Sequence, residues 1–269
     1  MKQRPAFPAR LAAPFTTQVA AQVAVQFAAQ GASLPRPAPG HTVGVGGVNQ
    51  SHGMDSTAVR MNMVKKLAAQ GVADPRVLQA IASVERHRFV DTALINQAYE
   101  DTSLPIGLGQ TISKPGVVAR MLALLRHGAS GKLGRVLEIG TGCGYQAAVL
   151  AQLATEVYSI ERLRGLHDKA RDNLRHLRLA NVHLLLGDGM LGYAKGAPYA
   201  AIIAAAGGDA LPQAWIDQLA VGGRLVAPVV TVGGIKGQQA LMVIDRTAAG
   251  VVQTILETVH FVPLKSGVA

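Results

Sequence analysis

Short unbroken apolar runs alternate with longer segments of helical period through the second half of the chain. Val136-Leu137-Glu138-Ile139, Val157 to Ile160, Val182 to Leu186, Ala201 to Ala206 and Arg224 to Val229 are too short for helices. Such runs read as strands buried on both faces. Tyr145 to Leu153, Leu163 to Leu179 and Pro212 to Leu219 supply helices between them. The alternation predicts an α/β fold: a three-layer, doubly wound, mostly parallel sheet. Gln239 to Asp245 and Val251 to Val262 have no helix between them and predict an antiparallel strand pair at the sheet edge. Upstream, Thr57 to Ala69, Pro75 to Val84 and Val117 to Leu125 read as helices, and Tyr99 to Lys114 as a polar, glycine-rich loop.

Residues 1–54 break this pattern. They hold Lys2, Arg4, Arg10 and Arg36, no Asp or Glu, and many Ala, Gln, Pro and Gly. That composition buries too little apolar surface to offset chain entropy, so a disordered basic tail is expected there. Residues 55–269 are expected to form one domain: N-terminal helices and a functional loop over 55–130, then a cofactor-binding sheet over 131–269. Met54, Met61 and Met63 lie where the globular pattern begins and are compatible with a later start. The tail lacks the long apolar region and cleavage site of a secretory signal.

Of the formal charge of +10, the tail carries +4, leaving +6 for the domain. The excess is scattered except for Arg162, Arg164, Lys169, Arg171, Arg175 and Arg178, which share a helix and read as a solvated face. With only 4% aromatic residues, a base-stacking surface is not supported, and no specific nucleic acid is expected. No apolar run approaches the roughly 18 residues of a membrane span, so no membrane partner is expected. The single Cys143 excludes an internal disulfide, and no His spacing suggests a metal ligand set, so no metal is assigned. A cytoplasmic monomer is the natural reading.

The densest chemistry lies in RVLEIGTGCGYQAAVLAQLATEVYSIE, residues 135–161. Gly140, Gly142 and Gly144 let the chain reverse after the first strand and bring a ligand close to bare peptide N–H groups. Glu161 ends the next strand 21 residues after Gly140, where a carboxylate can accept both hydroxyls of a ribose. A dinucleotide loop needs a third glycine where Tyr145 stands, and no phosphate-binding Lys follows. Glu138 before the loop suits a cation rather than a phosphate. Together with Gly187-Asp188-Gly189, the pattern points to S-adenosylmethionine. For Glu161 a plain strand-end acid, and for Asp188 a turn-forming role, remain open.

The segment Leu104-Pro105-Ile106-Gly107-Leu108-Gly109-Gln110-Thr111-Ile112-Ser113-Lys114-Pro115 is long for a loop, and loops of that length are often functional. With AYEDTSLPIGLGQTISKPGVVARM, VLEIGTGCGYQAAVLA, GDG and LPQAWIDQLAVGGRLVAPV, the chain from Val59 to Leu264 resembles the protein-L-isoaspartate O-methyltransferases. The resemblance implies the Rossmann-like class I methyltransferase fold. It also implies methyl transfer from S-adenosylmethionine to the α-carboxylate of L-isoaspartyl residues in damaged proteins or peptides. The family's active-site serine falls on Ser113, with Gln110, Thr111 and Ile112 beside it in the substrate loop. Its cofactor positions fall on Glu138, Gly140, Gly142, Gly144, Glu161, Gly187 and Asp188, the last near the adenine amino group.

Ser113 ahead of Lys114-Pro115 is also a good helix N-cap, and capping alone is an alternative to catalysis. Three positions depart from the family: Gly116 in place of a larger residue, Ala200 in place of Asp, and Gly207-Gly208 in place of Ala-Pro. Glycines at a strand end are expected to loosen the substrate region. Two other readings stand beside repair: a methyltransferase acting on another carboxylate or small molecule, and a binding module whose cofactor site has decayed.

Overall fold

The structure is a computed structural model that describes residues 57–231 and 238–269. The expected 1–54 tail lies outside the described residues. Among the described residues, nine strands and six α-helices follow in chain order. Helices α1 (Thr57–Ala69) and α2 (Pro75–Ser83) come first. Two 3-10 segments, Arg86–Phe89 and Thr92–Gln97, lead into strands β1 (Leu104–Gly107) and β2 (Gln110–Ile112). Helix α3 (Pro115–Leu125), strand β3 (Leu133–Ile139), helix α4 (Tyr145–Leu153) and strand β4 (Ala154–Glu161) follow. After them run α5 (Arg164–Arg175), β5 (Val182–Leu186), β6 (Tyr199–Ala204), α6 (Gln213–Gln218), β7 (Leu219–Val230), β8 (Gln239–Thr247) and β9 (Gly250–Val259).

Seven strands form one sheet in the order β5-β4-β3-β6-β7-β8-β9. The pairs from β5 through β7 are parallel, whereas β8 and β9 pair antiparallel at the end of the sheet, as the sequence predicts. The parallel strands are apolar on both faces because both are covered. Along β6, Ala201 and Ile203 join the core under α1 to α5, while Ile202 and Ala204 join the opposite core with Trp215 of α6. That is the period-two alternation of a strand in a three-layer sandwich. Strand order reverses between β3 and β6, so a crevice opens at their carboxyl ends, where an open α/β sheet binds ligands.

Two local expectations change. The segment Tyr99 to Lys114 contains an antiparallel β1-β2 hairpin rather than irregular loop. Leu104, Ile106 and Ile112 are buried while Ser103, Pro105, Gly107 and Thr111 are exposed, and Gly107-Leu108-Gly109 turns with positive φ at all three residues. Helix α5 stops at Arg175 although its apolar period continues to Leu179, because Arg178 takes a left-handed φ of 48°. Among the described residues no helix is long and apolar enough to cross a membrane.

Candidate active site

The β3-α4 turn builds the floor of the site. Gly140, Gly142 and Gly144 have φ of 89°, 57° and 92°, a region that residues with a Cβ rarely enter. A Cβ on Gly142 would lie 3.2 Å from Cδ1 of Ile106 on the hairpin, so the absent side chain lets the two loops approach. Tyr145 then starts α4 with Gly144 at its N-cap.

The turn is tied to the end of β4 by Glu161. Its carboxylate accepts from the backbone N–H groups of Gly142 and Leu163, each at 2.9 Å. Both loops facing the crevice are thereby fixed to one side chain, whose remaining lone pairs are available to a ligand. Glu161, Gly140, Gly142, Gln110 and Thr111 line a cavity of about 470 Å³. Thr111 and Ala205 also line a narrow crevice shared by Ile112, Ser113, Gly140 and Gly142. The same two residues line a third space, a groove of about 290 Å³ walled by Ser103, Ser113, Lys114, Thr258 and His260. Thr111 and Ala205 are therefore a wall common to cavity and groove, with Ser113 on the groove side.

Ser113 does not cap α3. The N-cap position is Lys114, with no side-chain capping bond, which removes capping as the reason for a serine there. The Ser113 carbonyl is held instead, accepting from Arg86 Nη2 at 2.8 Å.

Glu138 sits elsewhere than a charge-on-charge reading requires. It is fully buried beneath the glycine turn and accepts from Ser159 Oγ at 2.5 Å; Ser159 Oγ in turn lies 2.6 Å from Thr141 Oγ1. Burial pushes its carboxyl up to about 8, against the opposing pull of the hydrogen bond from Ser159. Burial thus favours the neutral carboxyl, and the side chain anchors the turn from beneath rather than lining the cavity. Gly144 packs on Leu174 and Ala170 of α5. Gly187 and Asp188 follow β5 outside the cavity wall, where Gly189 lines it. Asp188 caps the next turn by accepting from Met190 N at 2.8 Å and accepts from Gly267 N at 2.7 Å. Burial pushes the Cys143 thiol up, so it is not poised as a nucleophile. Among the described residues no group of three or more His, Cys, Asp or Glu is placed to hold a metal ion.

The sequence reading missed the segment after β9. Val262, Pro263, Leu264 and Lys265 form one wall of the large cavity. Gly207 holds this strap, donating to Val262 O at 2.9 Å and accepting from Leu264 N at 2.8 Å. Arg162 Nε donates to Gly267 O at 3.0 Å. A Cβ on Gly207 would fall 2.6 Å from Gln239 Nε2, so this departure fits a close approach and the strand end is tethered. Gly116 has a similar reason: its N–H donates to Asp101 Oδ1 at 2.6 Å, and a Cβ would come within 2.9 Å of the same oxygen. The basic helix face is only partly solvated, since Lys169 Nζ donates to Asp91 and to the carbonyl of Ile106, both at 2.9 Å. Only partner geometry could reveal these ties, because Gly, Lys and Arg in loops and helix faces have many uses.

Comparison with known proteins identifies the family. The family described as protein-L-isoaspartate(D-aspartate) O-methyltransferase matches residues 58–269. A protein-L-isoaspartate O-methyltransferase of Leptothrix cholodnii is 61% identical over 218 residues, covering 80% of this chain and 76% of that protein. One of Methylibium petroleiphilum is 62% identical over 217 residues, covering 80% of each. A solved protein-L-isoaspartate O-methyltransferase superposes with a TM-score of 0.69 at 27% identity, covering 78% of this chain and 67% of that one. A Plasmodium falciparum structure of TM-score 0.66 and 23% identity, covering 76% of this chain and 97% of its own, shares the fold. With a matching family over the whole described region and relatives above 60% identity, the chain belongs to the protein-L-isoaspartate O-methyltransferase family.

Proposed function

We propose that this protein carries out its family's repair reaction in the adjoining cavity and groove, with Ser113 as the catalytic residue and S-adenosylmethionine as methyl donor. The observation that carries the reading is that Thr111 and Ala205 line all three spaces. A donor in the cavity and an acceptor in the groove would meet beside Ser113.

The cavity fits such a cofactor. Its volume of about 470 Å³ lies within the range of small-molecule sites. The turn N–H groups are not bare as the sequence suggests, since Gly140 donates to Ile160 O and Gly142 to Glu161, so these glycines would serve the ligand by close approach rather than by donating to it. Glu161 would take the ribose hydroxyls with the lone pairs not used by Gly142 and Leu163. Apolar Ile139, Ile160 and Leu166 would cover flat or aliphatic parts. Asp188 would reach the adenine end through the strap it holds. When bound, S-adenosylmethionine supplies an electrophilic methyl group on a sulfonium sulfur.

The protein has little proton chemistry to perform. An isoaspartyl α-carboxylate is already ionised at neutral pH, so it needs orientation and loss of water more than a base. Ser113 donates a hydrogen bond to one carboxylate oxygen and aims the other at the cavity. Lys114, on the same groove wall, favours an anionic acceptor. Thr111, on the groove wall, positions the peptide; Gln110, expected to do so too, lines the large cavity and not the groove, and Ile112 is buried and anchors their hairpin.

Binding of S-adenosylhomocysteine, followed by calorimetry, tests the assignment of the cavity. Glu161→Ala should weaken it at least about ten-fold, the cost of losing charge-assisted hydrogen bonds. Unchanged affinity would remove Glu161 from the cofactor site.

A further inference from the structure

The reaction above makes no use of Arg86, whose side chain is 0% exposed. It lies in the 3-10 segment Arg86–Phe89. Its Nε donates to the carbonyl of Ala98 and its Nη2 to the carbonyl of Ser113, both at 2.8 Å. Its guanidinium carbon stands 4.8 Å from the centre of the Tyr145 ring. Nη1 has no hydrogen-bond partner, and among the described residues no carboxylate forms an ion pair with Arg86. Arg126, the other deeply buried arginine, is paired with Asp74 at 3.0 Å.

A buried cation without a counter-ion is costly, and a hydrophobic side chain of similar volume is usually the more stable solution. Stability alone therefore gives a weak reason for arginine at position 86, whereas what it touches gives a specific one. The guanidinium fork grips the peptide that leaves Ser113, and its central carbon lies over the ring of Tyr145, the first residue of α4, directly after the glycine turn. One rigid group thus spans the serine loop and the cofactor loop. A lysine could not, because an ammonium is a point donor that cannot bond two separated carbonyls while stacking on a ring.

We propose that Arg86 is a positioning residue for methyl transfer: it fixes the Ser113 peptide against the glycine turn, so that the Ser113 hydroxyl is held where the crevice and the groove adjoin. This rests on the reading of Ser113 as the catalytic residue.

The test is a double-mutant cycle on the full-length chain. Arg86→Lys and Arg86→Met are made alone and combined with Ser113→Ala. Each protein is measured for kcat and KM on an isoaspartyl peptide, for S-adenosylhomocysteine affinity and for melting temperature. Arg86→Lys should lower kcat by about ten-fold or more, the scale set by small misplacements of reacting groups. Affinity for S-adenosylhomocysteine should change by less than about two-fold, and the kcat effect should nearly vanish in the Ser113→Ala background, as coupled residues require. Arg86→Met should do the same; if it does not fold, Arg86→Lys decides alone. The same loss of kcat in both backgrounds, or parallel losses of kcat, cofactor affinity and melting temperature, would show a structural role and overturn the proposal. Wild-type turnover in Ser113→Ala would instead remove the catalytic reading of Ser113, and the proposal with it.

Discussion

Ser113 and Glu138 illustrate how one residue's role follows from what surrounds it. Ser113 is released from helix capping by Lys114 and lines both the crevice and the groove, so Ser113→Ala should act on turnover. Loss of one oriented hydrogen bond in such a site is expected to lower kcat about 10- to 100-fold. Cofactor affinity should stay within about two-fold, since no cofactor contact is assigned to the hydroxyl; equal losses in both would return Ser113 to a structural role. Glu138 yields a pH dependence. Its carboxyl is raised from 4.5 to about 8 in the folded protein, so the unfolded chain releases its proton first as pH rises. The stabilisation is full below about 4.5, declines through neutral pH and is gone above about 8. A ten-fold difference in proton affinity between folded and unfolded chains corresponds to ~1.4 kcal/mol, so the decline should amount to a few kcal/mol. In Glu138→Gln this slope should be absent, leaving the variant at least as stable as wild type at about pH 8.5. Urea midpoints at acidic, neutral and mildly alkaline pH check this, and parallel pH profiles for the two proteins would contradict it.

At the scale of elements, the strands and the glycine turn were legible because each carries its own local signal. Runs such as Val182 to Leu186 are too short for helices, and Gly140-Thr141-Gly142-Cys143-Gly144 has few uses other than a turn that meets a ligand. The β1-β2 hairpin was only half legible. Its alternation at Leu104, Ile106 and Ile112 was present, but strands of four and three residues give too short a period to stand out from a polar loop. The strap after β9 was not legible, because its order comes from Gly207, Arg162 and Asp188, which are remote in sequence. Glu138 was placed in the right element, but its full burial beneath the turn was not legible, since a charge is visible in sequence and its burial is not. The hairpin and the glycine turn meet at Gly142, which gives a test at this scale. Gly142→Ala adds a Cβ 3.2 Å from Ile106 and demands a left-handed φ of 57°, a strain of roughly 1–2 kcal/mol for an L-residue. Melting temperature and S-adenosylhomocysteine affinity should both fall, whereas Ala at the exposed Gly131, where a Cβ meets nothing within 4 Å, should be neutral.

For the molecule as a whole, topology explains why the site is where it is. Strand order reverses between β3 and β6, which opens the sheet at its carboxyl edge. The N-terminal half contributes the hairpin and Ser113, the first parallel strands contribute the glycine turn and Glu161, and the segment after β9 closes the far wall. The site is therefore assembled from parts that have no shared function until the sheet is complete. Its two main spaces differ in lining: a larger cavity backed by glycines and Glu161, and a smaller groove whose walls carry Ser103, Ser113 and Lys114. The former suits a small molecule and the latter an extended anionic acceptor. The central claim is that the acceptor is an isoaspartyl carboxylate. It is tested most directly by transfer of labelled methyl from S-adenosylmethionine to two peptides that differ only in having an isoaspartyl or an ordinary aspartyl linkage. The account predicts base-labile methyl ester on the isoaspartyl peptide and little on its partner; equal labelling of both, or none despite measurable cofactor binding, would contradict it.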